Sequence, residues 1–157
     1  MKVSGIADDT GEAVSQEISD VSAKELQSLA SLGLSSGELK AKIDNLAVSA
    51  DAKVLLFQIA TKVIRVGETV IKIGQKVLET VLEVIKTYPN TSFGAVFGAI
   101  AGALVSSIPV IGWVLGPVVT PLLVIFGMTV GAAVDIADKA AERSIRTSLA
   151  RFELLKT

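Results

Sequence analysis

The side chains that could do chemistry in this chain are few, and their types exclude most catalytic sites. The sequence contains neither histidine nor cysteine, which removes the commonest general base, thiolate nucleophiles and most zinc sites. Glu79 and Glu83 lie one helical turn apart. They share a polar stripe with Lys76 and Lys86, so the spacing indicates solvated ion pairs rather than a general acid and base. The sequence therefore predicts no enzyme activity, no metal site and no cofactor.

Two other groups of residues could suggest a catalytic or phosphate-binding site, but their positions do not support one. Asp135, Asp138 and Glu142 follow a long apolar segment and are expected on a helix surface. The glycines from Gly94 to Gly102 do not form a phosphate-binding loop, because no Lys followed by Ser or Thr stands in the required place. We expect these glycines to pack helices instead.

The dominant feature of the chain is a segment without charges. Residues 87–134 contain no Asp, Glu, Lys or Arg over 48 positions. Crossing a hydrocarbon layer about 30 Å thick takes about 20 apolar residues in a helix. The segment therefore holds roughly two crossings, and Ser106, Ser107 and Pro109 mark a break between them. The sequence predicts a hydrophobic helical hairpin that enters a membrane.

Small residues give this hairpin its predicted detail. Gly94, Gly98 and Gly102 stand four apart in the first limb and form a glycine zipper, where another helix can approach to backbone contact. Gly127 and Gly131 repeat the spacing in the second limb. The packing partner is the other limb or a second subunit, and the spacing does not choose between them. The hairpin turn and its interface anchor are assigned to a cluster of prolines, glycine and tryptophan: Pro109, Gly112, Trp113, Pro117 and Pro121.

The remaining segments are predicted to position the hairpin, in an all-α fold. Capping boxes at Ser22 and Ser35 begin two short amphipathic helices, and Ser49 begins a long helix that lasts until Pro89. Apolar residues repeat every seven positions along this long helix, and Gly67 and Gly74 are expected where another backbone comes close. The second limb is predicted to continue past residue 135 as a helix of matching length. The predicted organisation is a mobile acidic arm (1–20), two short amphipathic helices (21–49), a long amphipathic helix (50–89), the hydrophobic hairpin (90–137) and a C-terminal amphipathic extension of the second limb (138–157).

Charge is distributed unevenly along the chain. Residues 1–51 carry nine acidic and four basic side chains, whereas residues 52–157 carry eleven basic and seven acidic ones. A basic region beside a hydrophobic hairpin suits anionic lipid. We expect the following side chains to face lipid headgroups: Lys76, Lys86, Lys139, Arg143 and Arg146. The net charge of −1 argues against a nucleic-acid partner.

The apolar segment from Phe93 to Val134, with Lys86 and Lys139 as its nearest basic flanks, resembles the hydrophobic hairpin of colicin-type α-helical pore-forming proteins. The resemblance is architectural and covers about a third of the chain. It implies a hairpin that is sheltered in a soluble form and then inserts into a target bilayer, and so a membrane location. The first 20 residues are polar and show no signal peptide. Hairpin coat proteins of membrane-bearing viruses and bacteriophage holins share the same physics.

Two hypotheses of function follow from the sequence. The first is a membrane-inserting, self-associating protein that permeabilises a bilayer, pore-forming or similar to a holin or toxin, with the lipid bilayer and copies of itself as partners. The alternative is a structural coat or filament protein, embedded in a membrane and assembled through the long helices and the glycine-zipper hairpins. A weaker third possibility is a subunit of a larger membrane complex.

Overall fold

The structure is a computed structural model that describes residues 1–7, 11–131, 134 and 136–156. It combines helices with a four-stranded antiparallel sheet, so the predicted all-α fold is wrong. The strands are β1 (Lys2–Ile6), β2 (Ala13–Glu17), β3 (Ile64–Val66) and β4 (Thr69–Ile71). The helices are α1 (Ala23–Ala30), α2 (Ser36–Asp44), α3 (Ala50–Ala60), α4 (Ile73–Thr87), α5 (Phe93–Phe97), α6 (Ala103–Ser107), α7 (Pro109–Ile125) and α8 (Lys139–Ala150). A π-helical turn (Gly98–Gly102) joins α5 to α6, and a 3₁₀ turn (Glu153–Leu155) follows α8.

The sheet joins the N-terminal segment to the middle of the chain. Its strand order is β2-β1-β3-β4, and Val3 in β1 pairs with Gln16 on one side and with Val66 on the other. The predicted mobile arm over residues 1–20 is therefore wrong for the described part of that range. Composition misled here because β1 is stabilised by β3, a partner distant in sequence, and strand formation depends on such context more than on local propensity.

The predicted long helix over residues 50–89 is also wrong, because β3 and β4 interrupt it between α3 and α4. The interruption is rich in β-branched residues, which favour strands. Between the strands, Gly67 has a φ of +59° at the first position of a two-residue turn, and Val66 pairs with Thr69 across it. This geometry is typical of the tight turns that join antiparallel strands. The seven-residue apolar repeat fitted one helix, but it also fits two helices separated by a hairpin of strands.

The predicted capping residues of the first three helices are in place. The hydroxyl oxygens of Ser22, Ser35 and Ser49 accept hydrogen bonds from backbone amides three positions later, at 3.1, 3.1 and 3.2 Å. Each bond satisfies one of the free amides at a helix start. These signals lie within four residues, so the sequence carries them without help from the tertiary structure.

The charge-free segment forms the centre of the molecule. From Phe93 to Ser107 the chain is helical throughout α5, the π-helical turn and α6, and it breaks at Ile108, whose φ and ψ are −118° and 109°. α7 then returns against α6, and we call the unit from Phe93 to Ile125 the apolar hairpin. The break lies where the sequence predicts it. The inner side of the sheet and helices α3 and α4 pack on this hairpin.

The predicted irregular turn between residues 108 and 121 is wrong. α7 runs through this region as one helix, with Pro109 in its first turn and Pro117 and Pro121 inside it. Proline in the first turn costs no hydrogen bond, but each internal proline removes one and strains the preceding turn. Packing of α7 against α3, α6 and the sheet outweighs that local cost.

The second limb does not continue to the C terminus as one helix. α7 ends at Ile125, and Gly127 and Gly131 follow with φ values of +76° and +80°, a backbone conformation that stops a helix. α8 is a separate helix, and the carboxylate of Asp138 caps it by accepting hydrogen bonds from the amides of Ala140 and Ala141. Asp135, expected on a helix surface, lies outside the described residues. The predicted pair of long antiparallel helices is therefore absent from the described fold.

The sequence also predicts a transmembrane hairpin and a membrane location, and both predictions are corrected. In the part of the chain that the structure describes, no helix is both long enough and apolar enough to cross a bilayer.

Candidate functional site: the apolar hairpin

Two glycines of α7 contact the first limb of the apolar hairpin. A Cβ atom on Gly112 would lie 2.7 Å from the carbonyl oxygen of Val105, and one on Gly116 would lie 3.6 Å from Cγ1 of the same residue. These glycines stand four apart, as in other close helix crossings. The sequence named Gly112 as a turn residue. The structure places it inside α7, at the limb–limb contact.

The predicted zipper glycines in the first limb face side chains of the same chain. A Cβ on Gly94 would lie 3.3 Å from the ring of Phe126, one on Gly98 would lie 2.4 Å from Sδ of Met128, and one on Gly102 would lie 3.6 Å from Leu123. The groove beside these glycines is therefore filled from the end of α7 and the segment that follows it. Packing between copies of the chain through these glycines stays a prediction.

The other two predicted packing glycines have a different role. Gly127 and Gly131 have positive φ values, and no atom lies within 4 Å of a Cβ built on either residue. They form turns after α7 and make no close helix contact. Positive φ cannot be inferred from their spacing, which equals the spacing in the zipper.

Aromatic side chains close the open end of the hairpin. Phe93 and Phe97 stack with ring centroids 5.8 Å apart, and Phe126 packs edge-on against both, at 5.9 Å in each case. Edge-on and offset arrangements are the favourable ones for such rings. This cluster ties the start of the first limb to the end of the second limb.

One side of α7 is exposed and uncharged, and we call it the outer face of α7. Trp113 is 44% exposed, Val124 is 64% exposed and Ile125 is 43% exposed. The exposed residues of α7 that form this face are Pro109, Trp113, Thr120, Pro121, Val124 and Ile125. Exposed apolar side chains that follow one another along a helix mark an interaction surface more often than isolated ones do. Trp113, predicted as an interface anchor, lies near the start of this face.

The five basic residues predicted to face lipid are used in different ways. The ammonium group of Lys76 donates to the carbonyl oxygen of Ser31 at 2.8 Å, so it holds the end of α1. Glu142 pairs with Lys139 and Arg146 on α8. Among the described residues, no carboxylate lies within ion-pair distance of the two other predicted basic residues, Lys86 and Arg143.

Two polar side chains, Glu79 and Gln16, hold the covering elements. The predicted solvated ion pair at Glu79 is wrong, because its carboxylate binds backbone amides instead, and the sequence pattern did not indicate Gln16. Oε1 of Glu79 accepts hydrogen bonds from the amides of Gly33 and Leu34, at 2.6 and 2.9 Å. Gln16, which is only 7% exposed, bonds to backbone groups of two distant segments. The sequence carries no clear signal for either contact, because each partner is a backbone group far away along the chain. In the described residues no group of His, Cys, Asp and Glu is arranged to hold a metal ion.

No protein-family model, no curated protein and no solved structure matches this chain. The features of the described fold that bear on function are the apolar hairpin and the residues that cover it.

Proposed function

We propose that this chain binds lipid bilayers through the outer face of α7 and permeabilises them when the apolar hairpin leaves its cover. The observation that carries the proposal is an exposed face without charges on the second limb of a hairpin that is itself free of charges. α7 has 17 residues, so this face is about 25 Å long. A helix face of this kind suits the boundary between headgroups and acyl chains.

The residue types on the outer face support contact with lipid over contact with water. Trp113 can place its indole ring at the headgroup level, where tryptophan is enriched. Val124 and Ile125 expose apolar surface that would gain from burial. Arg143 and Lys86, which have no ion pair among the described residues, would add attraction to anionic headgroups.

The way the hairpin is covered supports the same proposal. The sheet and helices α3 and α4 bury both limbs, as expected of a hairpin that is sheltered before it acts. The resemblance to colicin-type pore-forming proteins stays part of the proposal. Self-association is proposed to follow opening, because the zipper glycines face side chains of their own chain in the closed fold. The coat or filament alternative depended on two long helices that the described fold lacks, so no observation favours it.

The test compares two exposed valines. Val124→Lys places a charge on the outer face of α7, whereas Val54→Lys makes the same change on α3, where Val54 is 55% exposed. We expect Val124→Lys to weaken binding to vesicles containing anionic lipid by about tenfold or more, and to reduce dye release with it, because a charge is costly in an apolar layer. Val54→Lys is expected to behave as the native protein does.

Binding is measured by flotation, and the single tryptophan reports contact directly. The emission of Trp113 should shift to shorter wavelengths when vesicles are added. The proposal fails if vesicles stay sealed while the protein binds them, or if the two lysine variants bind equally well.

A further inference from the structure

One buried side chain links three distant parts of the molecule. Gln16 lies in β2, and its Nε2 donates to the carbonyl oxygen of Leu155 at 2.8 Å, while its Oε1 accepts from the backbone amide of Val110 at 2.9 Å. Val110 lies 94 positions away in the first turn of α7, and Leu155 lies 139 positions away in the C-terminal turn. A single amide group thus connects the edge of the sheet, the tip of the hairpin and the end of the chain.

The bond to Val110 replaces a local helix cap. The residue before α7 is Ile108, which offers no side-chain hydrogen bond, and Pro109 has no amide hydrogen. Val110 therefore has the first backbone N–H group of α7, and this residue is fully buried. Without Gln16, that N–H would lose its partner in an apolar surrounding, which is unfavourable. β2 therefore stabilises the start of α7 in this position.

A second contact joins the sheet to the same helix. Gly5 in β1 faces Val114, and a Cβ atom on Gly5 would lie 2.6 Å from Cγ2 of Val114. The β1–β2 pair therefore covers the first turns of α7 by close packing at Gly5 and by hydrogen bonding at Gln16. Both contacts must break before the tip of the hairpin can leave the sheet.

We propose that Gln16 is the latch that keeps the apolar hairpin closed, and that separation of β1 and β2 from α7 is the step that releases it. This inference rests on the proposed function, because release matters only if the hairpin acts on a bilayer. The latch couples the two ends of the chain to the hairpin tip. Loosening either end removes a hydrogen-bond partner from the other parts, so the three segments open together.

A disulfide between β1 and α7 tests whether release is required. The chain has no native cysteine, so a double variant, Gly5→Cys with Val114→Cys, contains one possible bridge. The contact at 2.6 Å to Cγ2 places the two Cβ atoms about 4 Å apart or less, which suits a disulfide. A cysteine at position 5 would clash with the branched side chain of Val114, and Val114→Cys removes that branch. The reduced form of the same protein is the matched control.

We expect oxidation to lower dye release from vesicles of phosphatidylcholine and phosphatidylglycerol by about tenfold or more, and reduction to restore it, because the bridge blocks the opening that release needs. Equal dye release from the oxidised and reduced forms would show that the hairpin acts without leaving β1. That result would overturn the latch and leave the proposed function intact. If neither form nor the native protein binds vesicles, the proposed function fails. Hydrogen exchange measured without lipid then still tests whether Gln16 keeps the hairpin closed.

Hydrogen exchange measures opening in the absence of any bilayer. Gln16→Leu removes both hydrogen bonds, and Gln58→Leu makes the same chemical change at an exposed position of α3. We expect Gln16→Leu to speed exchange in β2, the first turn of α7 and the C-terminal turn together, by about 30-fold, the effect of losing two ordinary buried hydrogen bonds. Gln58→Leu should leave all three segments unchanged. Faster exchange in β2 alone would overturn the latch, because the effect would be local. An equal rise of the exchange rate in α2 would also overturn it, because the substitution would then destabilise the whole protein.

Discussion

The role of a glycine in this chain is set by what faces its missing side chain. Gly74 lies at the start of α4, and a Cβ there would be 1.7 Å from the carbonyl oxygen of Ile59 in α3. The sequence predicted a close backbone at Gly67 and at Gly74. The prediction is confirmed at Gly74 and wrong at Gly67, where no backbone atom lies near an added Cβ. Gly67, in contrast, serves a tight turn, and Gly98 faces the flexible end of Met128. Of these three glycines, only Gly74 faces rigid backbone, so a methyl group there has no room.

We expect Gly74→Ala to lower the free energy of unfolding by about 3 kcal/mol, because a backbone carbonyl cannot move aside without shifting α3 against α4. Gly37→Ala is the matched control: Gly37 lies in the first turn of α2, and the nearest atom to an added Cβ is 4.0 Å away. That change should stabilise the protein by about 0.5 kcal/mol through helix propensity. Denaturant unfolding followed by circular dichroism measures both. Similar stabilities for the two variants would contradict the close approach of α3 and α4.

At the scale of elements, α7 shows how packing overrides local preference. Pro117 and Pro121 each remove a backbone hydrogen bond, and the carbonyl groups left without a partner belong to Trp113 and Pro117. These residues lie on the side of α7 that the neighbouring elements leave open. The opposite side is buried in the core, and there the apolar contacts stabilise the helix. The helix therefore persists although its sequence contains two breaking residues.

Replacing an internal proline of α7 should therefore stabilise the protein. We expect Pro121→Ala to raise the free energy of unfolding by about 1 kcal/mol. The substitution restores a backbone hydrogen bond and relieves strain, and this gain exceeds the stability lost because alanine makes the unfolded chain more flexible than proline does. Pro109→Ala, in the first turn, should instead lower it by about 0.5 kcal/mol. Urea midpoints give both values. A destabilising effect of Pro121→Ala would mean that the proline ring itself makes a needed contact.

At the scale of the whole molecule, the chain buries surface as a compact monomer does. Its accessible surface is 7997 Å², against roughly 7500 Å² expected for a compact protein of its mass. Long-range contacts join every part of the fold: β1 to β3, α8 to α4, and Gln16 to both the hairpin and the C-terminal turn. The buried apolar side chains of the described residues form one cluster, so we expect the elements to fold together.

We therefore predict a single cooperative unfolding transition. Trp113 reports on the hairpin, whereas far-ultraviolet circular dichroism reports on all helices, and the two denaturation curves should coincide. The latch implies only rare opening in water, too small a population to separate the curves. A change in Trp113 emission at lower denaturant than the loss of helix would show that the hairpin opens as a separate unit, and the cooperative description would not hold.

Some features of this protein were determined by the sequence alone. The helix starts at Ser22, Ser35 and Ser49 were predictable because a capping hydroxyl reaches only three residues. The break at Ile108 was predictable from the adjacent serines and Pro109. The absence of charge over residues 87–134 also required that this segment be covered by something apolar, because so much apolar surface is unfavourable in water.

What covers that segment was decided by the tertiary structure. β1 and β3 are distant in sequence, and their pairing cannot be read from either segment alone, since strand pairing depends on partners rather than on local pattern. The same holds for Gln16, whose partners are backbone groups that every sequence has, and for Gly112, whose role depends on where Val105 lies. Hydrophobicity is a property of a segment and can be read along the chain. Which surface covers that segment depends on the whole folded structure, because the hydrophobic effect is non-directional and any apolar surface of the right shape can bury the segment.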